Sequence, residues 1–252
     1  FASKFSPDGM QLLYSTYFGG NSEDLAYGMV VNNLTQEVTF TGSTKSTDYP
    51  NSYPAFQSYG GNTDAIVTRL NAAGDGYVWS RLINGNKTDV GTAVTLDDYS
   101  YNDAVVAGYT SSDNLSAGDS WLPTGPAWSV GTDGFVIVIT SGGIWSRGRY
   151  LGGTNNDYAY GVAVDPANGY DTWITGTTKS LNFPHTSSAF RKENRGGTDA
   201  FITRLNWGDL SLGASTYLGG SGDDGGTGID YDTNGYPYIT GYTESPPSPI
   251  NL

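Results

Sequence analysis

Four aspartates offer the most regular chemistry in the chain. Asp24, Asp89, Asp157 and Asp224 stand 65, 68 and 67 residues apart, each four residues after a glycine: Gly20, Gly85, Gly153 and Gly220. Carboxylates at such spacing suit two roles. One is calcium binding, since Ca²⁺ prefers carboxylate and backbone oxygens, and Glu23 and Asp223 add an acidic neighbour in two copies. The other is capping, in which each carboxylate accepts backbone N–H bonds within a turn. Recurrence and the lack of an Asp-x-Asp-x-Asp-Gly loop favour the cap; calcium stays as the one cofactor to test, and no other is expected. A second set, Asp64, Asp133 and Asp199, opens equivalent segments. A catalytic acid pair needs unequal environments, which repeated positions do not provide, so strand-start hydrogen bonding is the expected role. His185 is the single histidine, there is no cysteine and no Gly-x-Ser-x-Gly elbow, so neither a serine triad nor a nitrogen–sulfur metal site is expected.

Residues that do not repeat are the better candidates for recognition. The segments 44–62, 111–131 and 179–197 vary between copies and are rich in Pro, Ser and aromatics. Tyr49, Tyr53 and Trp121, with the basic residues Arg191, Lys192 and Arg195, form an expected partner face. Its aromatics suit stacking on sugar rings or anchoring a protein, and its cations suit docking onto an acidic neighbouring copy. Phe56, Trp128 and Phe190 each follow an alanine at a matching position and are expected to pack beneath these loops. Asn33, Asn86 and Asn114 match the N-glycosylation acceptor, a weak signal in a chain so rich in Asn, Ser and Thr. No residue is assigned as catalytic. A hydrolase or lyase would need a lone carboxylate pair, and nothing in the sequence brings the non-repeating Glu193, Glu244 and Asp119 together.

The elements that hold these residues follow from a repeat. Thr16-Tyr17-Phe18-Gly19-Gly20 returns as Arg149-Tyr150-Leu151-Gly152-Gly153 and Thr216-Tyr217-Leu218-Gly219-Gly220, with a degenerate copy ending in Asn84-Gly85. Each unit carries four strand candidates. The first covers 27–31, 92–96, 160–164 and 227–231; the second covers 38–42, 105–108, 173–176 and 238–241. The third covers 64–70, 133–139 and 199–205; the fourth runs over 77–82, with counterparts ending at Tyr17, Tyr150 and Tyr217. Small residues alternate with larger apolar ones and no sustained helical period occurs. A long period built of short strands predicts an all-β propeller of four-stranded antiparallel blades. Residues 1–252 are read as one repeat domain with units at 21–85, 86–153 and 154–220 and a partial unit of 1–20 plus 221–252. The two terminal pairs of strands make a fourth blade equivalent. They would share one blade in a closed ring, complete the blade of a neighbouring molecule in a fibre, or mark a cut through a longer array.

Composition narrows the partners. The 252 residues carry a formal charge of −13, with only 15% charged and 13% aromatic residues and 36 glycines, a balance suited to turn-rich β structure. Such an acidic surface repels nucleic acid, and no apolar run is long enough to insert in a membrane as a helix.

The segments Tyr217-Leu218-Gly219-Gly220-Ser221-Gly222-Asp223-Asp224, Tyr160-Gly161-Val162-Ala163-Val164-Asp165, Ile239-Thr240-Gly241-Tyr242-Thr243 and Gly196-Gly197-Thr198-Asp199-Ala200-Phe201-Ile202-Thr203-Arg204-Leu205-Asn206 make the chain resemble the SBBP family of bacterial-type β-propeller repeats. The resemblance covers nearly the whole chain. It implies a propeller in an extracellular or cell-surface protein and brings no catalytic signature. The expected function is a non-catalytic structural or adhesive module whose partners are copies of itself or neighbouring repeats. A carbohydrate-binding propeller is the alternative, and a glycoside hydrolase or lyase a more distant one.

Overall fold

The computed structural model describes residues 1–52, 62–97, 102–115, 131–166 and 169–246. They contain sixteen strands and no helix. These are β1 (Ala2–Phe5), β2 (Leu12–Thr16), β3 (Asp24–Val31), β4 (Val38–Thr44), β5 (Asp64–Leu70), β6 (Tyr77–Ile83), β7 (Asp89–Leu96) and β8 (Ala104–Thr110). There follow β9 (Asp133–Ile139), β10 (Trp145–Leu151), β11 (Asp157–Asp165), β12 (Asp171–Thr178), β13 (Asp199–Leu205), β14 (Leu212–Leu218), β15 (Asp224–Tyr231) and β16 (Pro237–Thr243). Each first strand begins at its repeated aspartate, three residues earlier than the alternation of side chains predicts.

Three four-stranded sheets run in sequence order, β3–β6, β7–β10 and β11–β14, flanked by two-stranded sheets β1–β2 and β15–β16. Pairing is antiparallel throughout the registered ladders. The terminal hairpins β1–β2 and β15–β16 form a two-stranded sheet each.

The repeated sequence produces repeated irregularities. Strand one bulges between Ala26 and Gly28, Ala159 and Gly161, and Gly226 and Gly228. The bulge drives its backbone against a glycine of strand two. A Cβ on Gly42, Gly176 or Gly241 would lie 1.8 Å from the carbonyl oxygen of Leu25, Tyr158 or Gly225 respectively, so only glycine fits. The hairpin from strand three to strand four turns through Gly9, Gly74 or Gly143, all at positive φ. In β13–β14 the positive-φ residue is the buried Leu210, at φ 54° and one position later in the turn.

The described residues group into two compact units. The first lies within Phe1–Val106, Ser112–Trp121 and Val138–Ser146, the second within Ala107–Ser111, Leu122–Ile137 and Arg147–Leu252. Residues of the β7–β10 sheet are divided between them. In the first unit β7 packs on β3, β4 and β5. Its core gathers Phe40, Tyr49, Ile66, Leu70 and Leu82, with Ala2 and Phe18 of the amino-terminal hairpin region against them. In the second unit β15 packs on β11, β12 and β13, and Phe183 stacks on Phe201 at 4.5 Å. Small residues let first strands approach: a Cβ on Gly28 would lie 3.0 Å from the Ala93 Cα.

Candidate functional site

Each of the four spaced aspartates builds the same turn. The last glycine of the motif, the second of a Gly-Gly pair in three copies and that of Asn84-Gly85 in the fourth, donates its N–H to the aspartate four residues on: Gly20 to Asp24 at 2.8 Å, Gly85 to Asp89 at 2.7 Å, Gly153 to Asp157 at 2.7 Å and Gly220 to Asp224 at 2.6 Å. The same carboxylate oxygen accepts a serine hydroxyl from the end of strand two, from Ser46 at 2.9 Å, Ser112 at 3.1 Å, Ser180 at 2.7 Å and Ser245 at 2.8 Å. That serine oxygen in turn accepts an N–H from the Gly-Gly loop, from Ser22, Lys87, Asn155 and Gly222. In three copies a second strut sits two residues beyond the serine. Asp48, Asn114 and Asn182 accept the N–H of Asn21, Asn86 and Thr154.

The sequence carries this partner set plainly: Thr44-x-Ser46-x-Asp48, Thr110-x-Ser112-x-Asn114 and Thr178-x-Ser180-x-Asn182, with Thr243-x-Ser245 in the last copy. Sequence reasoning found the aspartates and missed their partners, although the Thr-x-Ser spacing recurs with the same period. The turn also joins one sheet to the next strand. The backbone N–H of Asp89, Asp157 and Asp224 donates to the carbonyls of Thr63, Thr132 and Thr198, immediately before the second aspartate set.

Electrostatics differ among the copies. Burial pushes the Asp157 carboxyl above the usual aspartate range. Burial, aided by the charge of Asp224, does the same to Asp199, whose carboxylate accepts the Arg195 N–H at 2.9 Å. Partial burial works upward on Asp224 too, but hydrogen bonds from Thr243, Gly220 and Ser245 outweigh it and hold that carboxyl below the usual range. Among the described residues no group of three or more His, Cys, Asp or Glu converges where a metal ion could be held.

The expected partner face is divided by the structure. Tyr49 is not on it: the residue is buried against Phe18, and its hydroxyl is 3.1 Å from the Thr68 hydroxyl. Phe183 fills the matching place before Pro184, so recurrence of an aromatic–proline pair was the signal that marks Tyr49 as core. Phe190, expected beneath its loop, is exposed, with the Arg191 guanidinium 5.7 Å from its ring centroid. Arg191 anchors its segment through the backbone, accepting from Tyr217 N–H and receiving the Thr216 hydroxyl as acceptor for its own N–H at 2.7 Å. Lys192 and Arg195 are exposed in the same segment. Tyr53, Trp121, Phe56, Trp128 and Asp119 lie outside the described residues.

Of the glycosylation candidates, Asn33 and Asn86 are exposed, whereas the Asn114 side-chain oxygen serves as a strut. His185 sits 3.4 Å from the Phe183 carbonyl and beside the Tyr217 ring, in its loop.

No protein-family model matches the chain, and no curated protein matches it.

Proposed function

We propose that this chain is a scaffold module of the SBBP β-propeller kind, working at a cell surface or outside the cell by presenting loops and assembling with like repeats. The observation that carries this reading is the fourfold Gly–Asp–Ser turn. The most regular acidic residues spend their hydrogen-bonding capacity on holding loops and linking sheets. Three further features support a radial arrangement of blades: sequential four-stranded meanders, first strands rich in small residues, and stacking of β7 on β3 and β15 on β11.

Two measurements test the reading. Electron-microscopy class averages of the purified chain should show blades arranged about an axis; a flat or stacked arrangement would remove the propeller. A glycan array should retain no saccharide. Binding that disappears in Tyr53→Ala or Trp121→Ala would replace the scaffold role with carbohydrate recognition.

A further inference from the structure

Two carboxylates that the sequence assigns to separate roles meet at Gly219. A Cβ on Gly219 would lie 2.6 Å from Asp199 Oδ1 and 2.9 Å from Asp224 Oδ2. At the equivalent Gly152 the three nearest atoms all belong to Asp133, so the convergence is not a simple product of the repeat. Both aspartates lie in the second unit and both are buried, Asp199 at 0% exposure. Asp224 Oδ2 accepts the Gly220 N–H and the Ser245 hydroxyl. Asp199 Oδ2 accepts the Arg195 N–H at 2.9 Å, but its Oδ1 is enclosed and has no hydrogen-bond partner among the described residues. A charged oxygen left alone in a buried place is costly. Protonation removes that charge and turns Oδ1 into a donor beside a carboxylate acceptor.

The surroundings decide which carboxyl keeps the proton. Asp199 is faced by Asp224 from β15, by Arg191 from the preceding segment and by Tyr217 from β14, while β12 sets the neutral Thr178 opposite it. Arg195 gives only its backbone N–H, and its side chain is exposed. Burial, with the Asp224 charge, raises Asp199 in spite of the Arg195 N–H and the Arg191 charge. Partial burial of Asp224 is outweighed by its hydrogen bonds from Thr243, Gly220 and Ser245, so Asp224 is the member that stays ionised.

We propose that Asp199 and Asp224 form an acid latch: one proton on Asp199 Oδ1, held against the ionised Asp224, ties the segment 191–199 to the turn 219–224, and its loss loosens that junction. The latch does not rest on the module reading. It sits at a seam between strands, because β15 packs on β13 and the Asp224 N–H donates to the Thr198 carbonyl at 2.7 Å. Arg191 directs its charge at this pair, which leaves Lys192 and Arg195 as the exposed cations that the latched segment presents. The contribution of Asp199 favours folding below its unfolded-state pKa and is lost as pH rises through the folded value.

Carbon-13 NMR of aspartate-labelled chains tests the latch. The Asp199 carboxyl should titrate above the ordinary aspartate range, move down in Asp224→Asn and move up in Arg191→Ala. Asp199→Asn keeps an acceptor for Arg195 and sets an N–H toward Asp224. Between pH 4 and pH 8 its melting temperature should gain about 3 °C on that of the unmodified chain. Over the same interval the Gly220 and Asp224 amides of the unmodified chain should exchange about tenfold faster, after correction for the intrinsic rate, and those of Asp199→Asn should not change. An Asp199 carboxyl that titrates in or below the ordinary range, or an Asp199→Asn chain that loses ground as pH rises, would overturn the latch and leave Asp199 as a plain acceptor. Calcium that raises the melting temperature at pH 8 in the unmodified chain, and not in Asp199→Asn, would overturn the proton and seat a divalent cation between the carboxylates.

Discussion

Tyr217 and Tyr17 occupy the same place in the same motif, Thr-Tyr-x-Gly-Gly, yet one is 0% exposed and the other 90%. Tyr217 ends a four-stranded sheet. Its hydroxyl donates to the Ser180 carbonyl at 2.8 Å and accepts the Phe183 N–H at 2.8 Å, and burial raises its pKa to about 12. Tyr17 follows the two-stranded sheet β1–β2. The local motif forms the turn in both places. What covers the aromatic is the rest of the sheet, supplied by residues about 35 positions away in Tyr217's case, at Ser180 and Phe183. Burial, and the energy that goes with it, therefore belongs to the complete sheet and not to the motif.

The largest break in that comparison should come from the bulge glycines. Gly176→Ala sets a Cβ against a bulged backbone inside a four-stranded sheet and should cost about 3 kcal/mol, against about 1 kcal/mol for Gly241→Ala in the two-stranded β15–β16, where no third strand holds β16. Urea unfolding of the two variants measures the gap, and equal losses would show that the terminal hairpin is as constrained as the interior.

Tyr217→Phe should destabilise by about 2 kcal/mol, because the buried Phe183 N–H loses its acceptor, while Tyr17→Phe should change stability by less than about 0.5 kcal/mol. A comparable loss at Tyr17 would mean that its hydroxyl is covered in solution.

The aspartate turns sharpen the comparison through pH. Asp157 has a raised pKa in the folded chain, so its contribution favours folding most below the unfolded-state pKa and is lost as pH rises through the folded value. Asp224 has a lowered pKa, so its contribution is present above the unfolded-state pKa and is lost as pH falls through the folded value. Asp224→Asn should therefore cost about 1 kcal/mol near pH 7 and less near pH 3, whereas the cost of Asp157→Asn should grow on acidification. Denaturation curves at both pH values read the two slopes, and parallel slopes would contradict the assignment.

The smallest effect belongs to the Lys45–Glu23 ion pair at 2.7 Å, whose side chains are each about half exposed. Lys45→Ala should shift stability by less than about 0.5 kcal/mol and the shift should vanish in high salt.

Recurrence in the sequence was enough to place the four aspartates as turn residues, because a residue that returns with its glycine at a fixed distance answers a local geometric need. It was also enough for the order of the strands, since alternation and turn residues act over a few positions. Tyr49 escaped because its loop was read as variable, although Phe183-Pro184 matched Tyr49-Pro50. The serine partners escaped because they lie more than 20 residues from their aspartates, where spacing alone shows no contact.

What the amino-acid order determined alone was local: the short strands and hairpins seen among the described residues, and the aspartate turns, all governed by backbone sterics and neighbouring hydrogen bonds. Which aromatics are core and which carboxyl is pushed up or down were settled only by packing between sheets. Desolvation and edge pairing depend on what arrives from elsewhere in the chain, and two identical motifs given different neighbours acquire different chemistry.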